Sequence, residues 1–309
     1  MSRAGFCAII GAPNAGKSTL TNRLVGAKVS IVTQKVQTTR FPVRGVALEG
    51  EAQIVLVDTP GIFQPRRRLD RAMIRAAWGG AEDADAIVHL VDSAAAIAVD
   101  EKGGSAADRK AQADVETIVG GLRAAGKQAI LALNKIDGLK REKLLGLSQK
   151  LFETGVYSEV FMISAKDGSG VDDLKKRLAA LMPENVWFYP EDQTADLPAR
   201  LLAAEITREK LYLRVHEELP YAATVETTKF DEQPNGLRIE QTIFVERESQ
   251  RPIILGKGGQ TLKWIGQKAR EELTELLGRP VHLFLHVTVD EKWADRREFY
   301  GPVGLDFDV

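Results

Sequence analysis

Along roughly the first 180 residues, short and almost unbroken apolar runs alternate with longer stretches whose apolar positions recur at helical spacing. The runs at 6–10, 54–57, 87–91, 129–133 and 160–163 read as buried strands, because a strand covered by helices on both faces shows no polar alternation. Residues 43–48, followed by Glu49-Gly50-Glu51 and the next run, read as a hairpin that adds one antiparallel strand. The pattern predicts a doubly wound α/β sheet with ligand loops at the carboxyl ends of its strands.

From 94 to 112 the chain turns to Ala, Gly, Ser and scattered charge around Gly103-Gly104-Ser105. With little to bury, this stretch is expected to be a flexible surface loop or a frayed helix start. The pattern changes again between 181 and 197, which is rich in proline and acid and carries Trp187, Phe188 and Tyr189 in a row. That segment reads as a linker, its aromatics packing it onto a domain surface.

Beyond Pro198, residues 199–218 have helical periodicity, and 221–230 and 237–247 alternate as strands around a Pro234-Asn235-Gly236 turn. A second helix is expected at 261–277 and a third strand at 281–289. Helix, two strands, glycine loop, helix and strand make a smaller α+β module. The expected division is a first domain at 1–180, a linker at 181–196 and a second domain at 197–309.

A chain of 309 residues can hold two cores, and 44% hydrophobic with 28% charged residues describes a soluble globular protein. Its net charge of -1 neither favours nor excludes a polyanionic partner, so local charge must decide. The single cysteine, Cys7, lies in an apolar run; it excludes an internal disulfide framework, reads as a core thiol and suits a reducing cytosol. The start of the chain runs directly into a strand, with no apolar leader, and no apolar run reaches the roughly 18 residues a membrane span needs. His89, His216, His282 and His286 lack metal-ligand spacing and are expected to be structural.

Gly11-Ala12-Pro13-Asn14-Ala15-Gly16-Lys17-Ser18 follows a predicted strand and opens a helix at Thr19. This is the context of a phosphate loop, whose backbone N–H groups form an anion nest at a helix N-terminus. Lys17 is expected at the terminal phosphates and the Ser18 hydroxyl on Mg²⁺. Asp58-Thr59-Pro60-Gly61 ends the third strand; Asp58 can hold Mg²⁺ through water, and the Gly61 N–H can sense a γ-phosphate. Asn134-Lys135-Ile136-Asp137 ends the fifth. A carboxylate at Asp137 can accept from guanine N1–H and its exocyclic amine, whereas adenine would leave the acid unpaired. Lys135 can lay its stem over the base. Ser164-Ala165-Lys166 ends the sixth strand, where a backbone N–H can meet guanine O6.

Four such motifs in this order resemble the translation-factor-like GTPases over residues 5 to 180. The resemblance implies GTP binding, slow hydrolysis and two switch loops that answer to the γ-phosphate. It places Thr39, rather than Thr38, of Gln37-Thr38-Thr39-Arg40 on Mg²⁺. Catalysis then falls to Lys17, Thr39, Gly61 and Asn14. The residue after Gly61 is Ile62, where Ras-type enzymes carry a water-orienting glutamine, so the water must be placed otherwise. For loops of this type the resemblance also implies an asparagine oxygen, here that of Asn14, on a K⁺ ion beside the phosphates. Arg66, Arg67 and Arg68 in the second switch read as a solvated basic face.

Gly256-Lys257-Gly258-Gly259 is a G-x-x-G loop before a helix, flanked by Arg251, Lys263, Lys268 and Arg270 with no acid among them. Such a loop lets an RNA backbone approach closely. Ile253, Ile254, Leu262 and Ile265 are expected in the core or on the floor of the groove. The module resembles a type II KH domain, and the whole chain resembles the bacterial GTPases that join it to such a G domain. That resemblance implies 16S ribosomal RNA near its 3′ end as ligand, and a monomeric cytoplasmic protein that assists 30S subunit maturation. It further implies partial peripheral association with the inner membrane. The alternative is an RNA-binding chaperone that keeps GTP as a structural ligand.

Overall fold

The computed structural model describes residues 2–35, 37–215 and 219–309. They pack as two units, one of residues up to Ser30, Thr39–Asp196 and Tyr300–Val309, the other of Ile31–Thr38 and Leu197–Phe299.

In the first unit β1 (Arg3–Gly11) leads to α1 (Lys17–Val25), then to β2 (Val43–Glu49) and β3 (Ala52–Asp58). Next come α2 (Arg68–Glu82), β4 (Ala86–Asp92), α3 (Ser93–Lys102), α4 (Ala106–Ala124) and β5 (Ala129–Asn134). α5 (Arg141–Phe152), β6 (Tyr157–Met162), α6 (Val171–Leu181) and β7 (Ala195–Asp196) complete it. Among the described residues the sheet order is β6-β5-β4-β1-β3-β2-β7, and β2 alone runs antiparallel to the other strands. Alternation explains the unbroken apolar runs: Cys7 and Ile9 face one core with Leu20, Leu24, Leu174 and Leu178. Ala8 and Ile10 face the other, under α2 to α5. Each buried Leu or Ile contributes about 1.5–3 kcal/mol.

The flexible loop expected at 94–112 is instead two capped helices. The Asp92 carboxylate accepts from Ala95 N–H at 3.1 Å to start α3, and Gly103 ends it at φ 71°. Ser105 and Asp108 then form a capping box for α4, with bonds of 2.8 and 3.2 Å. Ala96 and Ile97 are buried. Caps and two core contacts supply what the composition lacks.

The linker aromatics pack onto the first unit as expected. Trp187 Nε1 donates to Glu51 O at 3.1 Å, and the Phe188 ring lies 5.1 Å from that of Phe6. The buried Gln53 amide accepts from Phe188 N and Tyr189 N and donates to Tyr189 O, at 2.8–3.0 Å.

The second unit contains α7 (Ala199–Arg214), β8 (Ala223–Gln233), β9 (Gly236–Val245), α8 (Arg251–Leu255), α9 (Gln260–Leu277) and β10 (Val281–Val289). β9 lies between an antiparallel β8 and a parallel β10. It alternates strictly between buried and half-buried, so one sheet face is covered, by α7 and α9. The helix expected over 199–218 ends at Arg214; residues 216–218, His216 among them, lie outside the described residues.

Two segments fall with the unit other than the one suggested by their place in the chain. Ile31 belongs to the core of the second unit, and Val32 N–H donates to Glu209 Oε1 at 2.9 Å. Residues 300–309 lie on α2, where Arg75 pairs with Asp306 at 3.2 Å and Arg68 sits 4.3 Å over the Phe307 ring. Arg68 is therefore not the solvated cation expected of the basic face.

Candidate functional site

The four predicted loops lie at the carboxyl ends of β1, β3, β5 and β6. Gly16, at φ 102°, caps α1, and Asn14 also takes a left-handed backbone at φ 63°. Lys17 is buried and its Nζ donates to Gly11 O at 3.2 Å and Ala12 O at 3.0 Å. Burial pushes this ammonium down to about 8, against the pull of Asp58 and Asp114. The loop carbonyls thus hold the cation within the turn of the loop.

Ser18, Thr39 and Asp58 converge. The Ser18 and Thr39 hydroxyls are 2.8 Å apart, and Thr39 Oγ1 donates to Asp58 Oδ2 at 3.3 Å. Thr38 points elsewhere, bonding Thr33 Oγ1 and Lys35 O at 2.6 Å. Asp58 is fully buried, which raises its carboxyl, while Lys17 and nearby hydroxyls of Ser18, Ser30 and Thr39 oppose the rise. Its Oδ1 has no hydrogen-bond partner within the protein. Two hydroxyls and a carboxylate with an orphaned buried oxygen form an all-oxygen donor set that fits a hard dication such as Mg²⁺.

Thr59 Oγ1 donates to Ile9 O at 2.8 Å, and Pro60-Gly61 bring the chain against the phosphate loop. A Cβ on Gly61 would lie 2.9–3.0 Å from Pro13, so only glycine allows this approach. Ile62 gives its backbone N–H to Gly11 O at 3.1 Å, while its side chain is packed in the core with Ala8 and Ile10.

Asn134 joins the loops. Its Nδ2 donates to Ala15 O at 2.7 Å, and its Oδ1 accepts from Ala165 N–H at 2.9 Å. Lys135 is held at φ 61°, and its Nζ pairs with Asp92 Oδ2 at 2.6 Å. Ile136 packs partly on the core and leads to Asp137 at the mouth of the site. Ser164 is buried and its Oγ accepts from Asp167 N–H at 3.2 Å; the Lys166 carbonyl accepts from Arg23. Asp92 escaped the sequence reading, although it ends β4 as Asp58 ends β3.

In the second unit, the apolar run before the glycine loop is the helix α8. Gly256 sits at φ 72°, and a Cβ there would lie 2.3 Å from Thr261 Oγ1. Gly258 and Gly259 also have positive φ and face open space, and Lys257 between them and Gly256 is exposed. Beside this loop, α9 and β10 enclose an open groove of about 380 Å³, with Gly259, Lys263 and Arg270 on one wall and Leu283 and Leu285 on the other. Leu262 lines it too, whereas Ile254 and Ile265 are fully buried and Ile253 is exposed. Of the predicted RNA contacts, Gly259, Lys263 and Arg270 line the groove, whereas Arg251, Gly256, Lys257, Gly258 and Lys268 do not, Lys268 pairing with Glu271 at 2.8 Å.

Residues 6–135 match the family model described as 50S ribosome-binding GTPase, and residues 218–294 match that of the KH domain. The chain is 69% identical over its full length to the GTPase Era of Caulobacter vibrioides, covering 98% of that protein. It is 61% identical to that of Maricaulis maris over 99% of this chain and 98% of the relative. A crystal structure of Era with MgGDPNP and nucleotides 1506–1542 of 16S ribosomal RNA superposes with a TM-score of 0.88 at 38% identity, covering 98% and 99% of the two chains. A variant of Aquifex aeolicus Era bound to GDP.AlF4- gives 0.87 at 39% identity, with the same coverage.

Proposed function

This chain belongs to the Era family of GTPases, and from that premise we propose a guanine-nucleotide switch that binds 16S ribosomal RNA near its 3′ end and assists 30S subunit maturation. The observation that carries the nucleotide half is the Asn134 amide. By bonding Ala15 O and Ala165 N–H it binds the phosphate loop and the 164–166 loop into one cradle, with Asp137 at its rim.

The base is read by Asp137 through its N1–H and amine, covered by the Lys135 stem, and met at O6 by backbone of Ser164-Ala165-Lys166. The phosphates lie on the backbone from Gly11 to Thr19, with Lys17 turning from its loop carbonyls to the terminal phosphates. Ser18 and Thr39 would hold Mg²⁺ directly and Asp58 through water; when bound, the ion neutralises charge on the phosphates. Gly61 N–H and the Thr39 backbone position the attacking water, because the buried Ile62 side chain cannot. Hydrolysis is accordingly slow. Asn14, exposed and left-handed, offers its side-chain oxygen to K⁺ beside the phosphates.

RNA lies in the groove between α9 and β10, its backbone on Gly256-Lys257-Gly258-Gly259 and its charge met by Lys263 and Arg270. The similarity to an Era bound at once to MgGDPNP and 16S RNA supports the triphosphate state as the one that holds RNA. The protein acts as a cytoplasmic monomer, with a peripheral fraction at the inner face of the inner membrane. No helix among the described residues is long and apolar enough to cross a membrane.

Crosslinking to cellular RNA with GTP or GDP present, followed by mapping, tests this function. Contacts near the 16S 3′ end are expected, and contacts scattered over unrelated RNA would refute it. Multiple-turnover GTP hydrolysis separates the switch from a chaperone with structural GTP, which predicts none.

A further inference from the structure

We propose that Asp92 is the positioning residue of the guanine site, holding the Lys135 side chain in the plane on which the base stacks; this rests on the assignment of Asn134–Asp137 to guanine. Asp92 ends β4 directly beside Asn134, its register partner at the end of β5. Its two carboxylate oxygens do separate work. One accepts from Ala95 N–H at 3.1 Å and starts α3; the other takes the Lys135 ammonium at 2.6 Å.

Lys135 needs such a partner. It is one of three non-glycine residues with positive φ among the described residues, a conformation that a side chain disfavours unless its surroundings fix it. On its N-terminal side the backbone is fixed by Asn134, whose amide is bonded at both ends. The side chain itself is fixed by Asp92.

α3 gives the carboxylate a rigid base. Near its far end Glu101 pairs with Lys143 and Asp100 with Lys150, both at 2.6 Å, and both lysines lie on α5, the helix that follows the guanine loop. The loop is therefore bracketed, with Asp92 before it and the α3–α5 pairs behind it. α3 thus has a task the family motifs leave unassigned.

The Asp92–Lys135 pair is half-open, with side chains 20% and 41% exposed. A base stacked on the lysine stem would cover it, and a covered ion pair is screened less than an open one. The pair should thus matter most when nucleotide is bound.

The test is the dissociation rate of ribose-labelled fluorescent GDP and IDP from the full chain. Asp92→Asn keeps an oxygen that can cap α3 and removes the charge, so helix content and melting should be unchanged. GDP should leave this variant about two- to fivefold faster. Lys135→Met, which keeps a stem and loses the ammonium, should have at least the same effect. The double variant should dissociate no faster than Lys135→Met alone. GDP and IDP should be affected equally, since the covered plane and not the exocyclic amine is involved. Wild-type dissociation from Asp92→Asn, or effects that multiply in the double variant, would overturn the proposal. If the wild-type chain binds GDP and IDP equally, the guanine assignment itself fails and the proposal falls with it.

Discussion

The Arg208 guanidinium donates to the carbonyl of Thr38, the residue directly before Thr39. Arg208 is buried and paired with Glu205, its Nε donating to Oε1 at 2.8 Å. Thr38 counts with the second unit and Thr39 with the first, so the peptide bond between them is one of the points where the chain passes from unit to unit. One side of that bond is tied to a buried ion pair, the other to Ser18 and Asp58.

Breaking this ion pair should be costly. Arg208→Met leaves Glu205 buried without a counter-charge and should cost about 3–5 kcal/mol in urea unfolding. Arg208→Met with Glu205→Leu should recover most of that loss. The recovered double variant should still bind Mg²⁺·GTP more weakly than wild type while its GDP affinity is unchanged, because only the triphosphate state calls on Thr39. A double variant that binds Mg²⁺·GTP as tightly as wild type would show that the Arg208–Thr38 bond does not support Thr39.

Gly258→Asp should separate the two activities. Gly258 has φ 60° and open space where a Cβ would go, and aspartate tolerates this conformation better than most residues. The variant should fold and hydrolyse GTP at the wild-type rate, while the new acid repels the RNA backbone. A loss of at least about tenfold in RNA affinity is expected in fluorescence anisotropy.

Potassium should matter if Asn14 supplies an oxygen to it. GTP hydrolysis should be faster in K⁺ than in Na⁺, and Asn14→Ala should abolish the difference without abolishing GDP binding. Equal rates in the two salts would remove the ion from the mechanism.

His89 makes stability depend on pH. It is fully buried, with Nδ1 bonded to the Tyr157 hydroxyl at 2.8 Å, and burial, aided by the Lys17 charge, pushes its pKa down to about 3 from the usual 6.5. Between those values the unfolded chain binds a proton that the folded chain does not. The stability is therefore present above pH 6.5 and is lost as pH falls toward 3, at about 1.4 kcal/mol per unit. His89→Phe should remove this slope. Urea unfolding at about pH 7.5 and about pH 5.5 should show wild type losing about 1 kcal/mol more than the variant.

The doubly wound sheet was legible because its strands are apolar on both faces, as Cys7 and Ile9 against Ala8 and Ile10 show. The nucleotide loops were legible because their chemistry demands particular residues at fixed offsets. α3 was not, because its Ala-rich run carries no broad apolar stripe and its order comes from Asp92 and Gly103 at its ends. Asp92 itself left one signal, a carboxylate ending a buried parallel strand, but the structure was needed to pair it with Lys135. The placement of 31–38 left none. Arg208 reads as an ordinary polar position on a helix, and nothing in its spacing announces that it is buried against Thr38.

Binding of an RNA oligonucleotide from the 16S 3′ end, measured on the full chain with Mg²⁺ and either GDPNP or GDP, decides whether guanine nucleotide governs RNA attachment. The nucleotide loops and the groove between α9 and β10 predict tighter binding with GDPNP, and loss of binding in both states for Gly258→Asp. Equal affinity with the two nucleotides, or unchanged affinity in that variant, would contradict a switch that uses guanine nucleotide to control its hold on RNA.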